Sequence, residues 1–281
     1  MKLKALLKTV STGVLLGSAV NASAAVISFS NVAALDGSGL TSEFIDPTNA
    51  SSGQGASGFN GYFIETFDLG TAMAGFSRIG SPGAFIDQGY NGTPAADCGL
   101  NSLNAGIEID TSINGFQISS ASGTGRAAPA NDNTCFGYTP ASGQGVSVTN
   151  PAWLEIDYIN FLTNGAKIDY LGFYWGSIDT WNDFVFYDDD DNVLLTITGS
   201  SLLANCSPGS QSSACSNRYV NIDFEQNEAF SKFRVISTAV AGEFDNIVVG
   251  LNTRSVSEPA TVMVLGMGLI GLAVRRRRFF N

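Results

Sequence analysis

The sequence contains no histidine, and only 14% of its 281 residues are charged. Without histidine the chain cannot form a Ser-His-Asp triad, a Cys-His catalytic pair or an imidazole-ligated zinc site. The small charged fraction, together with 32 glycines, disfavours long solvated helices and favours short strands joined by turns. We find no helical period of useful length and no repeat of fixed period. We therefore expect a mainly β protein.

The first 24 residues have the pattern of an export signal. Lys2, Lys4 and Lys8 precede an apolar stretch over residues 10–20, and the segment closes with Ala22-Ser23-Ala24. A basic start, a short apolar stretch and a small-x-small tripeptide predict a secretory signal peptide over residues 1–24. An N-terminal membrane helix is the alternative, but the apolar stretch is short for a span.

The last residues, 256–281, combine a polar motif, an apolar segment and a basic end. The apolar segment from Ala260 to Val274 has 15 residues, about 22 Å of helix, whereas a membrane core is about 30 Å thick. Arginines after such a segment keep that end in the cytoplasm. The motif is Ser257, Glu258, Pro259, Ala260 and Thr261, and the basic end is Arg275, Arg276, Arg277 and Arg278.

These parts, in this order, resemble the PEP-CTERM sorting signal of Gram-negative bacteria. Glu258 and Pro259 match the tripeptide that names the signal, whereas Ser257 stands where the family most often has proline. The resemblance implies a transient inner-membrane anchor, processing by an exosortase, and delivery to the outer surface or the extracellular matrix. A tail anchor that is never cut, leaving a periplasmic protein, is the alternative.

The body, residues 25–255, is strongly acidic. Seven of the 14 basic residues but only one of the 25 acidic residues lie in the two ends, so the body carries a net charge of −17. Nucleic acid and anionic lipid are therefore poor partners. The body is long enough for one large β domain or two small ones, and the sequence leaves that choice open.

Short alternating or apolar runs separated by turn residues predict strands along the body. In 153–158, for example, Leu154, Ile156 and Tyr158 fall on one face and Glu155 and Asp157 on the other. Regular short strands of this kind predict an all-β fold, an antiparallel β-sandwich or jelly roll. The predicted strands are 26–30, 62–69, 106–109, 115–119, 153–158, 168–175, 183–187, 193–198, 219–224, 232–237 and 244–249.

Cys98, Cys135, Cys206 and Cys215 form an even set in an exported body. Disulfides are the expected state in an oxidising compartment. Three connectivities exist for four cysteines, and we favour Cys98 with Cys135 and Cys206 with Cys215, since the latter pair flanks a Ser/Gly/Pro-rich loop. A four-thiolate zinc site is disfavoured because no C-x-x-C spacing occurs.

The most distinctive run of the body is 170–182, YLGFYWGSIDTWN, and a second run, GEFDNI, follows at 242–247. Together they resemble a family of exosortase-associated bacterial surface proteins, which implies an architecture and a location but no activity. Within the first run, Trp175, Asp179, Trp181 and Asn182 combine aromatic rings with polar groups. This combination is a candidate contact for a glycan, although aromatic residues in strands more often belong to the core.

Four adjacent carboxylates precede Asn192, in a stretch between two predicted strands. Oxygen ligands of this kind suit Ca²⁺, so Asp188, Asp190 and Asn192 are candidate calcium ligands. The spacing is not that of an EF-hand, because Val193 stands where glycine is required. A solvated hairpin turn is the simpler explanation of the run.

Two carboxylate pairs, Asp179 with Asp183 and Glu155 with Asp157, are nominal candidates for glycoside hydrolysis. Spacing in a β protein fixes neither the separation of two carboxyl groups nor a raised pKa, so no catalytic residues are predicted and a carboxylate glycosidase is a remote alternative. We expect no enzymatic activity and, calcium aside, no cofactor. The sequence predicts a structural or adhesive surface protein, associated with extracellular polysaccharide. A dedicated carbohydrate-binding module is the alternative.

Overall fold

The computed structural model describes residues 25–50, 61–68, 98–100, 107–141, 143, 145–162, 166–203 and 207–252. Within these ranges the chain forms short strands and two helices of four and five residues. The strands are β1 (Val26–Ser30), β2 (Val32–Ala33), β3 (Leu40–Thr41), β4 (Tyr62–Glu65), β5 (Glu108–Thr111), β6 (Gln117–Ser119), β7 (Phe136–Thr139), β8 (Ala152–Asp157), β9 (Lys167–Gly176), β10 (Asn182–Tyr187), β11 (Val193–Thr198), β12 (Arg218–Asp223), β13 (Lys232–Ser237) and β14 (Gly242–Asn252). The helices are α1 (Pro47–Ala50) and α2 (Gly199–Leu203).

The strands form two main antiparallel sheets. The seven-stranded sheet has the order β1-β12-β9-β14-β7-β6, and β4 also pairs with β14. The five-stranded sheet has the order β11-β10-β13-β8-β5, and β2 and β3 form a separate hairpin. The prediction of an all-β antiparallel fold is confirmed.

The main core lies between the two sheets. Leu154 and Ile156 of the five-stranded sheet belong to the same buried cluster as Leu171, Phe173 and Trp175 of the seven-stranded sheet. In β8 the buried and partly exposed residues alternate as the sequence predicts. Two sheets that bury their facing side chains in this way form a β-sandwich.

The outer face of the seven-stranded sheet is also covered. Tyr170, Tyr174 and Tyr219 form a second buried cluster there, against Leu40 and Ile45 of the N-terminal segment. Because both faces of β9 are buried, its sequence is a nearly unbroken apolar run rather than an alternating one.

The central strand β14 changes partner along one edge. Residues 242–244 pair with β7 and residues 247–250 with β4, so β7 and β4 lie end to end against β14. Opposite β9, Asp245 pairs with Tyr174 and Val248 with Gly172, which leaves one extra residue in β14. Asn246, within this bulge, has a left-handed φ of 47°. The bulge therefore lies where β14 passes from β7 to β4.

Every predicted strand is present, with boundaries displaced by a few residues. The sequence analysis missed β2, β3 and β7. The first two are only two residues long, and β7 contains Gly137 and ends immediately before Pro140, which reads as a turn.

Gly39 allows the N-terminal segment to lie against the seven-stranded sheet. It has a φ of +73°, and a Cβ atom there would collide with the ring of Tyr174. Gly37 has a φ of +88° but open space around its missing Cβ. We expect Gly37→Ala to lower the free energy of unfolding by about 1 kcal/mol through backbone strain alone, and Gly39→Ala by about 2–3 kcal/mol. Urea unfolding of both variants measures the difference, and equal losses would contradict the packing described here.

Candidate functional site

The two distinctive runs of the sequence meet at one end of the seven-stranded sheet. Glu243, at the start of β14, pairs with Gly176, at the end of β9. The turn that follows Gly176 leads into β10 at Asn182. The structure therefore places the polar residues of both runs side by side, although 66 positions separate Ser177 from Glu243.

Glu243 is buried and fully hydrogen-bonded. Its Oε1 accepts from the backbone N–H of Ala127 at 2.8 Å, and its Oε2 accepts from the Ser177 hydroxyl at 2.9 Å. Burial raises the pKa of Glu243 to about 8. This carboxyl group joins the loop before β7 to the turn after β9.

Asp179 is the second buried acid of this group. Its Oδ1 accepts from the backbone N–H of Trp181 at 3.2 Å and from Asn182 Nδ2 at 2.8 Å. Burial and the nearby charge of Glu243 together raise the pKa of Asp179 to about 8. The Asn182 amide oxygen in turn accepts from Ser237. We call Ser177, Asp179, Asn182 and Glu243 the Glu243 cluster.

This arrangement corrects the predicted glycan contact. Asp179 and Asn182 are 1% and 0% exposed, and Trp175 is 1% exposed in the core, with its ring edge-on to Phe184 at 5.1 Å. A glycan at the protein surface does not reach these three residues. Only Trp181 of the predicted set is partly exposed.

A second buried group surrounds the bulge of β14. Asp245 shares a face of the sheet with Tyr174, its cross-strand neighbour, and is 0% exposed. One of its oxygens, Oδ1, accepts from the backbone N–H of Asn246 at 2.7 Å. Asn246 Nδ2 donates to Ser38 Oγ at 2.8 Å and to the carbonyl oxygen of Leu40 at 2.9 Å.

Asp132 approaches the same place from the loop before β7. It forms a β-bridge with Ser38, and its Oδ1 accepts from the backbone N–H and the hydroxyl of Thr134, both at 2.9 Å. Burial raises the pKa of Asp132 to about 6 and that of Asp245 well above its usual range. We call Asp132, Asp245, Asn246 and Ser38 the Asp245 cluster.

A disulfide borders the Asp245 cluster. Cys98 and Cys135 are bonded, with their Cα atoms 5.6 Å apart, as the sequence analysis favoured. The backbone N–H of Cys135 donates to Asp68 Oδ1 at 2.8 Å, and burial raises the pKa of Asp68 to about 7. This disulfide and this hydrogen bond lie where β4 and β7 meet, beside the bulge.

Lys167, Lys232 and Arg234 pair with acids outside both clusters. Their salt bridges join Lys167 to Asp189, Lys232 to Glu155 and Asp191, and Arg234 to Glu155. The largest charge effects on Asp245 come from Asp132, Asp68 and Asp36, all of them acidic. The Asp245 cluster is therefore a concentration of buried carboxyl groups.

The sequence analysis did not predict that Glu243, Asp245, Asp132 and Asp68 are buried and form clusters. One signal was available. Strand β14 places Glu243, Asp245 and Asn246 among strongly apolar neighbours, and polar residues in a central strand need buried partners. Several of their partners, such as Ala127 and Ser38, lie in distant loops and carry no pattern of their own.

The acidic run between β10 and β11 forms an ordinary turn. Asp188 Oδ1 accepts from the backbone N–H groups of Asp190 and Asn192, at 2.9 and 2.8 Å. The Asn192 side chain also donates to Asp188 and helps to hold the pKa of Asp188 below its usual value. The turn is satisfied by its own hydrogen bonds, and calcium binding at Asp188, Asp190 and Asn192 stays a prediction. Among the described residues, no group of three or more His, Cys, Asp or Glu side chains is arranged to hold a metal ion.

Several predicted residues lie outside the described ranges: the signal peptide 1–24, Cys206, the motif 257–261 and the arginines 275–278. Cys215 is described and is disulfide-bonded. Among the described helices, none has the length and apolar character needed to cross a membrane.

The family model for the PEP-CTERM protein-sorting motif matches residues 255–278. The chain therefore carries this sorting motif, as the resemblance of its C-terminal residues implies. The motif implies an exported protein that an exosortase sorts to the surface of a Gram-negative bacterium. Comparison with curated proteins gives no match.

Three solved structures show weak similarity. A fucose binding module of Streptococcus pneumoniae is 17% identical over 48% of this chain and 89% of the module, with a TM-score of 0.27. The enzymatically active domain of bacteriophage CBA120 tailspike protein 4 is 11% identical over 52% of this chain and 19% of that chain, with a TM-score of 0.28. An endo-1,4-beta-D-xylanase of Clostridium thermocellum, complexed with xylohexaose, is 10% identical over 54% of this chain and 27% of that chain, with a TM-score of 0.29. The matched regions are thus small parts of the latter two proteins.

The buried acids predict how stability depends on pH. The pKa of Asp179 is about 8 in the folded protein, whereas an aspartate ordinarily has a pKa of 3.8. The folded state therefore holds the proton of Asp179 more tightly than the unfolded state does. The stability it contributes is fully present below pH 4 and is lost as the pH rises to about 8. In Asp179→Asn the amide oxygen keeps both accepted hydrogen bonds, and no proton is lost over this range.

In the unmodified protein the free energy of unfolding should fall as the pH rises from 5 to 8, and Asp179 should contribute up to about 1.4 kcal/mol per pH unit to that fall. We expect Asp179→Asn to remove this contribution. Urea unfolding at several pH values measures the slope of the unfolding free energy against pH. Asp190→Asn makes the same chemical change at an exposed position and should keep the slope of the unmodified protein. Equal slopes in both variants would show that Asp179 does not hold its proton.

Proposed function

We propose that this protein is a structural or adhesive component of the outer surface or extracellular matrix, associated with exopolysaccharide and without enzymatic activity. The observation that carries the proposal is the sorting motif at residues 255–278. It adjoins the end of β14 at Asn252, so the sorting segment continues directly from the central strand of the seven-stranded sheet.

The positions of the terminal strands support processing at both ends. β1 begins at Val26, two positions after the predicted signal-peptide cleavage, and β14 ends before the sorting motif. Removal of either segment therefore takes no residue from the described sheets. The body remains intact whether it is still anchored or already released.

The tail and the fold together suggest how the protein acts. While the tail holds the chain in the inner membrane, its arginines remain on the cytoplasmic side and the body faces outward. After processing, the acidic body is left to contact matrix polysaccharide or other surface proteins. A disulfide and two packed sheets give it the rigidity expected of a structural component.

The tail hypothesis predicts a defined cut. We expect the protein recovered from the envelope and medium to lack the residues after the Glu258-Pro259 region, whereas a variant carrying Glu258→Ala and Pro259→Ala keeps Asn281 and stays in the inner membrane. Intact mass with both termini mapped measures this. Ser257→Ala, which leaves the two matched residues in place, is the control. An unmodified protein that still ends at Asn281 in the inner membrane would instead be an uncut periplasmic protein.

A carbohydrate-binding module is a second candidate. It is favoured by Trp181, whose side chain is partly exposed in the turn between β9 and β10. A partly exposed ring in a turn can stack on a sugar. The polar neighbours that the sequence analysis assigned to this contact are buried, so the ring would act without them.

For this candidate we expect saturable binding to the exopolysaccharide of the producing cells, weakened about tenfold or more by Trp181→Ala. Trp153→Ala is a matched control, because Trp153 is also a partly exposed tryptophan but lies on the five-stranded sheet. Isothermal titration with the purified polysaccharide measures both. Unchanged affinity in Trp181→Ala would remove the candidate.

A further inference from the structure

Three oxygen atoms of the Asp245 cluster are buried and have no hydrogen-bond partner. They are Oδ2 of Asp132, Oδ2 of Asp245 and Oδ1 of Asn246. Asp245 and Asn246 are each 0% exposed, so water from the surface does not reach them directly. Buried oxygen atoms without partners are rare in folded proteins, and each calls for a proton, an ordered water or an ion as its partner.

The orientation of the Asn246 amide is fixed by its partners. Its nitrogen lies within hydrogen-bonding distance of three oxygens, the carbonyl and hydroxyl oxygens of Ser38 and the carbonyl oxygen of Leu40. Carbonyl oxygens only accept hydrogen bonds, so the nitrogen must occupy this side. The unpartnered atom is therefore the amide oxygen, an electron-pair donor in the same cluster as the two carboxylates.

A proton alone does not satisfy the three oxygens. The carboxyl groups of Asp132 and Asp245 lie close enough for one hydrogen bond between them. One proton shared between the two carboxyl groups would still leave Asn246 Oδ1 without a donor. A cation placed among the three oxygens serves all of them and also offsets two negative charges.

We propose that Asp132, Asp245 and Asn246 bind a divalent cation, and that this cation is Ca²⁺. All three ligand atoms are hard oxygens, which excludes a preference for zinc or copper. Two carboxylates and one neutral amide match the charge of a divalent ion. Calcium accepts irregular oxygen sets and combines carboxylate, amide and backbone ligands, whereas magnesium requires near-ideal octahedral geometry.

The surrounding charge favours the same occupant. Asp68 and Asp36 both act electrostatically on Asp245, and Asp36 is exposed at the solvent edge of the N-terminal segment. The field at the site is thus negative from the surface inward, which attracts a cation. This site is distinct from the acidic turn of β10 and β11, where Asp188 is occupied by hydrogen bonds within the turn.

A cation here would join three separate parts of the chain. Asp132 belongs to the loop before β7, Asp245 and Asn246 belong to the bulge of β14, and Asn246 holds Ser38 of the N-terminal segment. Since β14 leads to the sorting motif, the ion would reinforce the strand through which the body is attached. The calcium site goes beyond the proposed surface function, and it does not depend on which surface ligand the protein contacts.

The test uses the exported protein purified from the cell envelope and stripped with a chelator. We expect one calcium ion per chain by titration calorimetry, and a thermal midpoint raised by about 5–10 °C at a calcium concentration 100 times the dissociation constant. Asp132→Asn should abolish the calcium-dependent rise. Its amide can donate to Asp245 Oδ2, so we expect the calcium-free variant to fold.

Asp190→Asn is the matched control, with the same chemical change in the acidic turn, and should keep the full response. The proposal is overturned if calcium produces no shift, if the response is lost in Asp190→Asn and kept in Asp132→Asn, or if magnesium gives the same shift. A crystal structure of the unmodified protein with calcium keeps the test decisive should Asp132→Asn fail to fold. An ion within 2.3–2.6 Å of Asp132, Asp245 and Asn246 supports the site, and an ion only at the acidic turn overturns it.

Discussion

The bulge in β14 is the constraint on which the rest of the structure depends. One extra residue between Asp245 and Val248 lets the strand pair first with β7 and then with β4, while β9 remains its partner on the other edge. The left-handed Asn246 makes the change of partner feasible, and its side chain ties the N-terminal segment to the sheet.

The buried acids follow from this geometry. Once β7 and β4 meet end to end, the polar groups of the loops beside them need acceptors inside the protein. Glu243 accepts from Ala127, Asp68 accepts from Cys135, and Asp132 accepts from Thr134. Each carboxyl group thus satisfies backbone donors that no strand can reach. Burial disfavours the charged form of each carboxyl group, and this raises the pKa values of Asp68, Asp132 and Glu243.

The sequence was sufficient for most of the strands and for the sorting signal, but it did not predict the environment of the buried acids. The alternation of Leu154 and Ile156 with polar residues is local, so it specifies both a strand and its buried face. The identity of Asp179 and Asn182 as polar residues suggested exposure, but their environment depends on Glu243 and Ser237, which are distant in sequence. The burial of Trp175 could not be predicted either, because it results from the packing of the two sheets against each other.

Strand β14 connects these features to the attachment of the protein. Its edges are occupied by β9 on one side and by β7 and β4 on the other, and Val248 and Val249 are fully buried. A force on the sorting tail therefore acts on a strand held by hydrogen bonds on both edges, not on a terminal strand at the edge of a sheet. Detaching β14 would expose the core and separate the carboxyl groups of Asp132 and Asp245 at once. The bulge and the acidic cluster therefore lie on the same strand that precedes the sorting motif in the chain.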